Sequence, residues 1–232
     1  MAGMARAQFD YLVNVSESAF RSLTLATIES YSGVSPPRGK GRPRKYLETY
    51  GLLWGYETTL GNGKPCFTVE AATTDVNAER DHTSVTPSRH GLQTMNAIVS
   101  AYWPNWRFIG DFHSHPFKPS QAMPLRPELS PADIETVEGE DSVYPGLGYR
   151  VCLLTSIRQM SRHGPKDPAY LGSNALEWTM HNLRLSLAAW VAQPLSRGKR
   201  LKLYPLDRPR AKGNRSVWLQ APVHLIHDKL GG

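Results

Sequence analysis

Apolar residues follow two different spacings along this chain, and each spacing predicts a different element. Alternation of apolar with polar residues, as in Tyr11, Val13 and Val15, is typical of strands. On this basis we predict strands over residues 11–15, 46–56, 66–72, 106–112 and 149–156. The Gly61-Asn62-Gly63 sequence between the second and third of these strands favours a hairpin turn.

Three other segments carry apolar residues three or four positions apart, which predicts amphipathic helices. The first helix begins after Ser16, a residue type that caps helices. The second runs from Ser88 to Tyr102 and ends before Pro104, and the third runs from Ser130 to about Glu138. Helices that stand between strands indicate an α+β or α/β protein, and we take α/β as the fold class.

The last third of the chain has a less uniform pattern. Residues 183–187 alternate as in a strand, whereas residues 188–190 also suit a helix. Short apolar runs at 217–219 and 223–226 are further strand candidates. The choice between strand and helix stays open for this part of the chain.

The composition is typical of a folded domain. The chain has 232 residues, of which 40% are hydrophobic, and this length suits a single domain over residues 8–232. We expect a cytoplasmic protein with no membrane segment, because no apolar run is long enough to cross a bilayer and the first residues do not form a signal peptide. Cys66 and Cys152 lie in predicted strands, where buried thiols are common.

The net charge of +7 is concentrated in two segments. Residues 35–45 form a basic loop rich in proline and glycine, and residues 197–215 carry many arginines and lysines opposed by Asp207. Such segments attract acidic surfaces, including nucleic acid, but charge alone does not specify a partner. Solvated loops are the simpler interpretation of both segments.

Two histidines and a downstream carboxylate form the most informative pattern of the chain. His113 and His115 are two residues apart at the end of a predicted strand, so their side chains face the same side. Asp133 follows at the start of the third predicted helix. Two imidazoles and one carboxylate suit a catalytic zinc site, in which a fourth coordination position stays open for water.

Each part of this pattern also has a simpler explanation. Histidines two residues apart are often structural or exposed. Ser130, Pro131 and Asp133 suit the cap, the first position and the positive end of a helix dipole. The explanations are compatible, because the first turn of a helix is a rigid place to hold a ligand carboxylate.

Taken together, the motifs resemble those of the JAMM/MPN+ family of zinc metalloproteases, also called the JAB or Mov34 family. The matching motifs are Leu47-Glu48-Thr49-Tyr50-Gly51-Leu52-Leu53-Trp54-Gly55, His113-Ser114-His115-Pro116 and Ser130-Pro131-Ala132-Asp133. The resemblance covers a core of residues 10–157, and residues 158–232 form a C-terminal extension that it does not cover. The proline-rich segment 116–129 is longer than its counterpart in the family.

The resemblance implies a fold and a role for each motif residue. The fold is the MPN fold, which is cytidine deaminase-like and has a mixed β-sheet flanked by helices. His113, His115 and Asp133 would bind one Zn²⁺ per chain. Glu48 would activate the zinc-bound water, and Ser130 would stabilise the oxyanion of the reaction.

The resemblance also implies a deubiquitinase-like isopeptidase or peptidase that cleaves the bond after the C-terminus of a ubiquitin-like protein. The expected partners are that protein and its conjugation enzymes, as for prokaryotic stand-alone members that accompany conjugation systems and antiviral defence operons. Two alternatives stay open: a non-catalytic MPN scaffold, and a nucleic-acid-binding module that uses the basic segments. Glu57 and Glu70 are alternative carboxylates, although neither lies in the matching motif.

Overall fold

The computed structural model describes residues 9–34, 44–76, 78–80, 85–86, 88–139, 143–144, 146–162, 164, 166–195, 200–206 and 213–223. Most of the basic segment 35–45 and part of the basic segment 197–215 lie outside the described residues. Residues 224–226 of the last strand candidate also lie outside them.

The described residues form three helices and twelve strands. The helices are α1 (Glu17–Ser32), α2 (Arg89–Tyr102) and α3 (Pro131–Glu138). The strands are β1 (Tyr11–Val15), β2 (Tyr50–Thr59), β3 (Pro65–Thr74), β4 (Glu79–Arg80), β5 (Val85–Thr86), β6 (Arg107–Phe117), β7 (Val151–Gln159), β8 (Ala169–Gly172), β9 (Ala175–Met180), β10 (Leu183–Pro194), β11 (Leu201–Tyr204) and β12 (Val217–Gln220). Ser16, Ser88 and Ser130 cap the three helices, because each side chain accepts a hydrogen bond from a backbone N–H of the first turn. The caps of Ser16 and Ser130 are as predicted, whereas Ser88 was predicted to lie within its helix.

Ten of these strands form one mixed sheet, which confirms the α/β class. The order across the sheet is β12-β1-β3-β2-β6-β7-β10-β9-β8, with β11 paired to β10. β1 runs parallel to β12 and β3, and β6 runs parallel to β7. β2 runs antiparallel to both β3 and β6, and β10 runs antiparallel to β7, β9 and β11. β4 and β5 form a separate two-stranded sheet.

The sheet curls so far that its two outer strands approach each other. Leu219 of β12 donates a backbone hydrogen bond of 2.8 Å to the carbonyl of Ser173, which lies between β8 and β9. The rings of Tyr170 in β8 and Trp218 in β12 stack with centroids 5.6 Å apart. We call this junction between the two outer strands the seam.

Apolar side chains pack against both faces of the sheet. On one face, α1 contributes Phe20 and Leu23, and the Phe20 ring lies 5.1 Å from the ring of Trp178. On the other face, Leu92 of α2 and Val137 of α3 belong to a second buried cluster. Burial of each such side chain contributes about 1.5–3 kcal/mol, so the helices are held mainly by these contacts.

The two strands that carry the matching motifs differ from their predicted ranges. Tyr46 has a φ of 57°, which lies in the left-handed region, and the ladder between β2 and β6 begins only at Tyr50. Glu48 therefore lies in the segment that leads into β2 rather than within the strand. β6 instead continues past the predicted end to Phe117 and includes both histidines.

In the last third of the chain, the strand interpretation is confirmed and the helix interpretation is wrong. Residues 183–194 form the single strand β10, which pairs with both β7 and β9. Its centre is buried on both faces, so apolar residues fill successive positions and hide the period of two. β8, β9 and β11 were not predicted. The candidate at 217–219 is confirmed as β12, while Val223 lies in no strand.

In the described part of the chain, no helix combines the length and the apolar character that a bilayer crossing requires.

Candidate metal centre

A bulge in β6 directs one row of side chains towards α3. The ladder with β2 shifts its register at Ile109. Gly110 follows with a φ of 156°, and a Cβ on it would lie 1.7 Å from the carbonyl oxygen of Val151, so this position requires glycine. Beyond the bulge, alternate residues from Asp111 to His115 share one face of the sheet.

His113, His115 and Asp133 bring their side chains together on this face. The Asp133 Oδ1 atom lies 3.4 Å from His113 Nε2, and Oδ2 lies 3.3 Å from His115 Nε2. The centroids of the two imidazole rings are 5.1 Å apart. Ligand atoms of the three residues all lie within 4.8 Å of one another, so the three can hold one metal ion.

A capping box at the start of α3 holds the carboxylate of Asp133 in place. The Ser130 N–H donates to Asp133 Oδ2 at 2.7 Å, and the Asp133 N–H donates to Ser130 Oγ at 3.2 Å. Pro131 occupies the first turn, as predicted. The capping explanation of this motif is therefore confirmed, and the same bonds direct the Asp133 side chain towards the histidines.

Glu48 lies beside this group and is only 7% exposed. Ser114 of β6 fixes the neighbouring backbone, because its Oγ accepts from the Thr49 N–H at 2.9 Å and its N–H donates to the Thr49 carbonyl at 3.0 Å. The Ser30 hydroxyl of α1 donates to the Glu48 carbonyl at 3.2 Å. The charge of Glu48 contributes to raising the pKa of His113, so the two side chains belong to one electrostatic group.

The carboxylates and histidines of this group shift each other's pKa values. Burial acts to lower the pKa of His113, but the contact with Asp133 and the charges of Asp111 and Glu48 together raise it. Burial acts to raise the pKa of Asp133, but its contacts with the two histidines and with Ser130 hold it far below the ordinary value. The site therefore favours an ionised carboxylate and attracts positive charge.

Among the residues that the structure describes, one ring nitrogen of this group finds no hydrogen-bond partner. His113 Nε2 is buried, and its approach to Asp133 does not satisfy hydrogen-bond geometry within the described part of the chain. A buried polar atom left without a partner costs about 1–3 kcal/mol. A metal ion bound between the three side chains would supply that partner, so the residues present fit a cation.

Asp111 is part of this site, and sequence reasoning missed it. Its carboxylate is fully buried and accepts hydrogen bonds from the hydroxyls of Tyr144 and, at 2.9 Å, of Tyr149. The Tyr50 hydroxyl lies 2.9 Å from that of Tyr144 and extends the network. Burial raises the pKa of Asp111, which the charge of His113 and the tyrosine hydrogen bonds oppose. The available signal was its spacing of two residues from His113.

A second set of potential ligands overlaps with the first. Asp111, His113 and Cys152 also have ligand atoms within 4.8 Å of one another. Burial, followed by the charge of Asp111, raises the pKa of the Cys152 thiol well above its ordinary value, which disfavours the thiolate that a metal requires. Because both oxygens of Asp111 already accept tyrosine hydrogen bonds, the set with His115 and Asp133 suits a metal ion better.

The two alternative carboxylates lie outside this site. Glu57 forms a 3.0 Å ion pair with Arg107 near the surface. Glu70 accepts a 3.0 Å hydrogen bond from the Tyr56 hydroxyl. Of the three glutamates considered from the sequence, Glu48 is therefore the one that contributes to the electrostatics of His113.

No protein-family model and no curated protein matches this chain. Among solved structures, it is similar to the solution structure of protein DSY2949 from Desulfitobacterium hafniense, with 14% identity and a TM-score of 0.39 over 93% of this chain and 99% of that chain. It is also similar to the N-terminal domain of STIL from Trichoplax adhaerens, with 12% identity and a TM-score of 0.30 over 80% of this chain and 46% of that chain. At these low values, neither similarity identifies a family or a function.

Proposed function

We propose that this protein is a JAMM-type zinc metalloprotease that hydrolyses the peptide or isopeptide bond after the C-terminus of a ubiquitin-like protein. The observation that carries the proposal is the convergence of His113, His115 and Asp133 within 4.8 Å, with the buried Glu48 near enough for its charge to act on His113. The unsatisfied His113 Nε2 supports the same conclusion, because a cation would complete its contacts.

The three converging side chains would hold a single Zn²⁺. Two imidazole nitrogens and a carboxylate are ligands of catalytic zinc sites, and three protein ligands leave a coordination position open. When bound, Zn²⁺ would polarise the scissile carbonyl and lower the pKa of a water molecule. The capping box around Asp133 keeps one of these ligands fixed before the ion binds.

Glu48 acts as the general base and then as the general acid in this proposal. It takes a proton from the attacking water and delivers it to the leaving nitrogen, which keeps the proton balance of the hydrolysis. Ser30 of α1 donates to the Glu48 carbonyl and Ser114 of β6 bonds to the backbone of the next residue, Thr49, so the chain that carries Glu48 is held from both elements. General acid–base catalysis of this kind contributes about 10²–10⁴-fold to the rate.

Ser130 stabilises the negative oxygen of the tetrahedral intermediate. Its Oγ accepts a hydrogen bond from the Asp133 N–H, and a hydroxyl that accepts still has its own proton to donate. That proton can be directed at a substrate oxygen near the metal ligands. Ser130 thus combines the roles of helix cap and oxyanion donor.

The first experiment measures metal content by elemental analysis of purified protein. We expect about one zinc per chain in the wild type, as one three-ligand site predicts, and none in His113→Ala/His115→Ala. Glu57→Gln is the matched control, because this carboxylate pairs with Arg107 away from the site and should leave the zinc content unchanged. Absence of zinc from the wild type after zinc is supplied would contradict the proposal.

The second experiment separates metal binding from catalysis. A ubiquitin-like protein with a peptide fused after its C-terminal residue serves as the substrate, and intact-mass spectrometry follows its cleavage. Glu48→Gln should retain zinc and folding but lose about 10²–10⁴-fold in cleavage rate. A Glu48→Gln variant that cleaves at the wild-type rate would remove Glu48 from the mechanism, and a zinc-loaded wild type that cleaves no such fusion would reject the substrate class.

A further inference from the structure

A cavity lies at the seam, apart from the metal ligands. Its volume is about 560 Å³, which is within the range of small-molecule sites. The walls come from the segment before α3, from the turn between β8 and β9, and from the segment that leads into β12. The proline-rich segment 116–129 and the C-terminal extension therefore form this cavity together.

Arg126 is held in a defined position in the cavity wall. Its guanidinium donates to the Oδ1 atom of Asn174, which is 2% exposed and whose Nδ2 atom donates to the Ala189 carbonyl at 2.9 Å. Gly172 has a φ of 150°, and a Cβ on it would lie 3.3 Å from the guanidinium, so glycine lets the arginine lie against the backbone. A buried amide thus orients an exposed cation before any ligand binds.

A second arginine in the wall has neutral hydrogen-bond partners as well. Arg215 donates to the Tyr11 hydroxyl and, at 2.7 Å, to the Oε1 atom of Gln193. Within the described residues, neither Arg126 nor Arg215 forms a salt bridge. Arg215 also lies over the rings of Tyr11 and Tyr204 and interacts with the charge of Asp10. Arg126 is therefore the guanidinium whose charge is available to a ligand.

The cavity wall also carries two carboxylates. Asp10 accepts hydrogen bonds from the Ser216 N–H at 2.7 Å and from its hydroxyl at 3.0 Å, and Glu128 is exposed. Two cations and two anions therefore line the same space, together with the apolar side chains of Trp190 and Leu206. A ligand that carries a single charge would face both a favourable and an unfavourable partner in this wall.

We propose that this cavity is a second ligand site, which binds a small zwitterionic molecule of the amino-acid or short-peptide type. The ligand carboxylate pairs with Arg126, whose planar donors suit a carboxylate. Its ammonium group pairs with Glu128 and Asp10, and its side chain packs against Trp190 and Leu206. The site uses none of the metal ligands, so binding there does not require the metal.

Three matched dipeptides test the charge requirement by calorimetric titration at fixed ionic strength. Glycyl-L-leucine carries both an ammonium group and a carboxylate. Its N-acetylated form keeps only the negative carboxylate, and its C-terminal amide keeps only the positive ammonium group. We expect saturable binding of glycyl-L-leucine, and at least about tenfold weaker binding of each blocked form, because each loses a charged hydrogen-bonding partner. Equal binding of the three probes, or tighter binding of either blocked form, would overturn the proposal.

Variants assign the binding to the cavity. Arg126→Gln and Glu128→Gln should each weaken glycyl-L-leucine binding at least about tenfold, whereas Arg89→Gln, at an exposed position on α2, should not change it. His113→Ala/His115→Ala should bind the dipeptide as tightly as the wild type, which excludes the metal centre as the location. Thermal unfolding of each variant verifies folding. Undiminished binding by folded Arg126→Gln, or no saturable binding by the wild type, would reject the site.

Discussion

The candidate metal centre and the seam cavity differ in how far apart in sequence their contacting residues lie. At the metal centre, Ser130 and Asp133 hold each other within a single helical turn, and the two histidines lie on one strand. At the seam, the hydrogen bond between Arg126 and Asn174 joins residues 48 positions apart, and the one between Asp10 and Ser216 joins residues 206 positions apart. The first site combines local motifs that meet through tertiary contacts, whereas the second has no local motif and exists only once the sheet has curled.

The two sites also differ in how burial affects their charges. His113 and Asp111 are buried, so their pKa values depend on desolvation and on each other. Arg126 and Arg215 are exposed and are oriented by neutral partners instead. The metal centre should therefore respond strongly to changes in backbone position, and the seam to the loss of single side-chain hydrogen bonds. Three substitutions test this difference.

Gly110→Ala should have the largest effect on stability. The new Cβ would meet the Val151 carbonyl oxygen at 1.7 Å, so the bulge that directs Asp111 and His113 must deform. We expect a loss of about 3 kcal/mol or more in the free energy of unfolding, with weaker zinc binding, measured by urea titration and zinc titration. Gly61→Ala is the control, since nothing lies within 4 Å of the added methyl group. Equal effects of both substitutions would show that the bulge is not a constraint.

Asn174→Ala should have an intermediate effect and act at the seam. It removes the acceptor of Arg126 and a buried donor to the Ala189 carbonyl, and the loss of a buried partner costs about 1–3 kcal/mol. Urea titration measures this loss, while zinc content should stay at the wild-type value. A zinc content clearly below that of the wild type in the folded variant would show that the two sites are coupled rather than separate.

Ser130→Ala should have the smallest effect on stability, about 1 kcal/mol, because it removes one helix cap. Ser88→Ala is a matched control, since Ser88 caps α2 in the same way, with its Oγ accepting from the Gly91 N–H at 3.1 Å. Urea titration of the metal-free proteins should give similar losses for both variants. Zinc titration should separate them, because Ser130, unlike Ser88, contacts the carboxylate of Asp133, which we propose binds the metal. Equal zinc affinity in the two variants would contradict that role.

The contrast between the two sites explains what the sequence could and could not predict. The caps of Ser16, Ser88 and Ser130 depend on residues three positions away, and all three follow from local pattern. The shared face of His113 and His115 follows from their spacing along one strand, whereas the convergence of both with Asp133 is what the motif resemblance implies. That the site is a catalytic zinc centre stays a prediction.

Features that depend on distant contacts could not be predicted in this way. The predicted strand over residues 46–56 begins too early, because Tyr46 has a left-handed backbone conformation that is uncommon for tyrosine and could not be predicted from its residue type. The hydrogen-bond donors to Asp111 are Tyr144 and Tyr149, which lie more than 30 positions away in sequence and form no local pattern with it. β8 and β9 are short and partly exposed, so their apolar pattern is weak, and the seam that they close had no sequence signal at all.

The parallel pairing of β1 with β12 has a consequence for how the chain is made. Tyr11 pairs in register with Val217, so one backbone edge of β1 has no partner strand until β12 has been synthesised. At ribosomal rates of about 5–20 residues per second, this delay amounts to about 10–40 s, during which β1 has an open backbone edge. A chain truncated before β12 would therefore keep the backbone edge of β1 exposed. We expect such a chain to aggregate or to be removed by cellular quality control. Synthesis of β12, within the C-terminal extension, therefore covers the last open edge of β1.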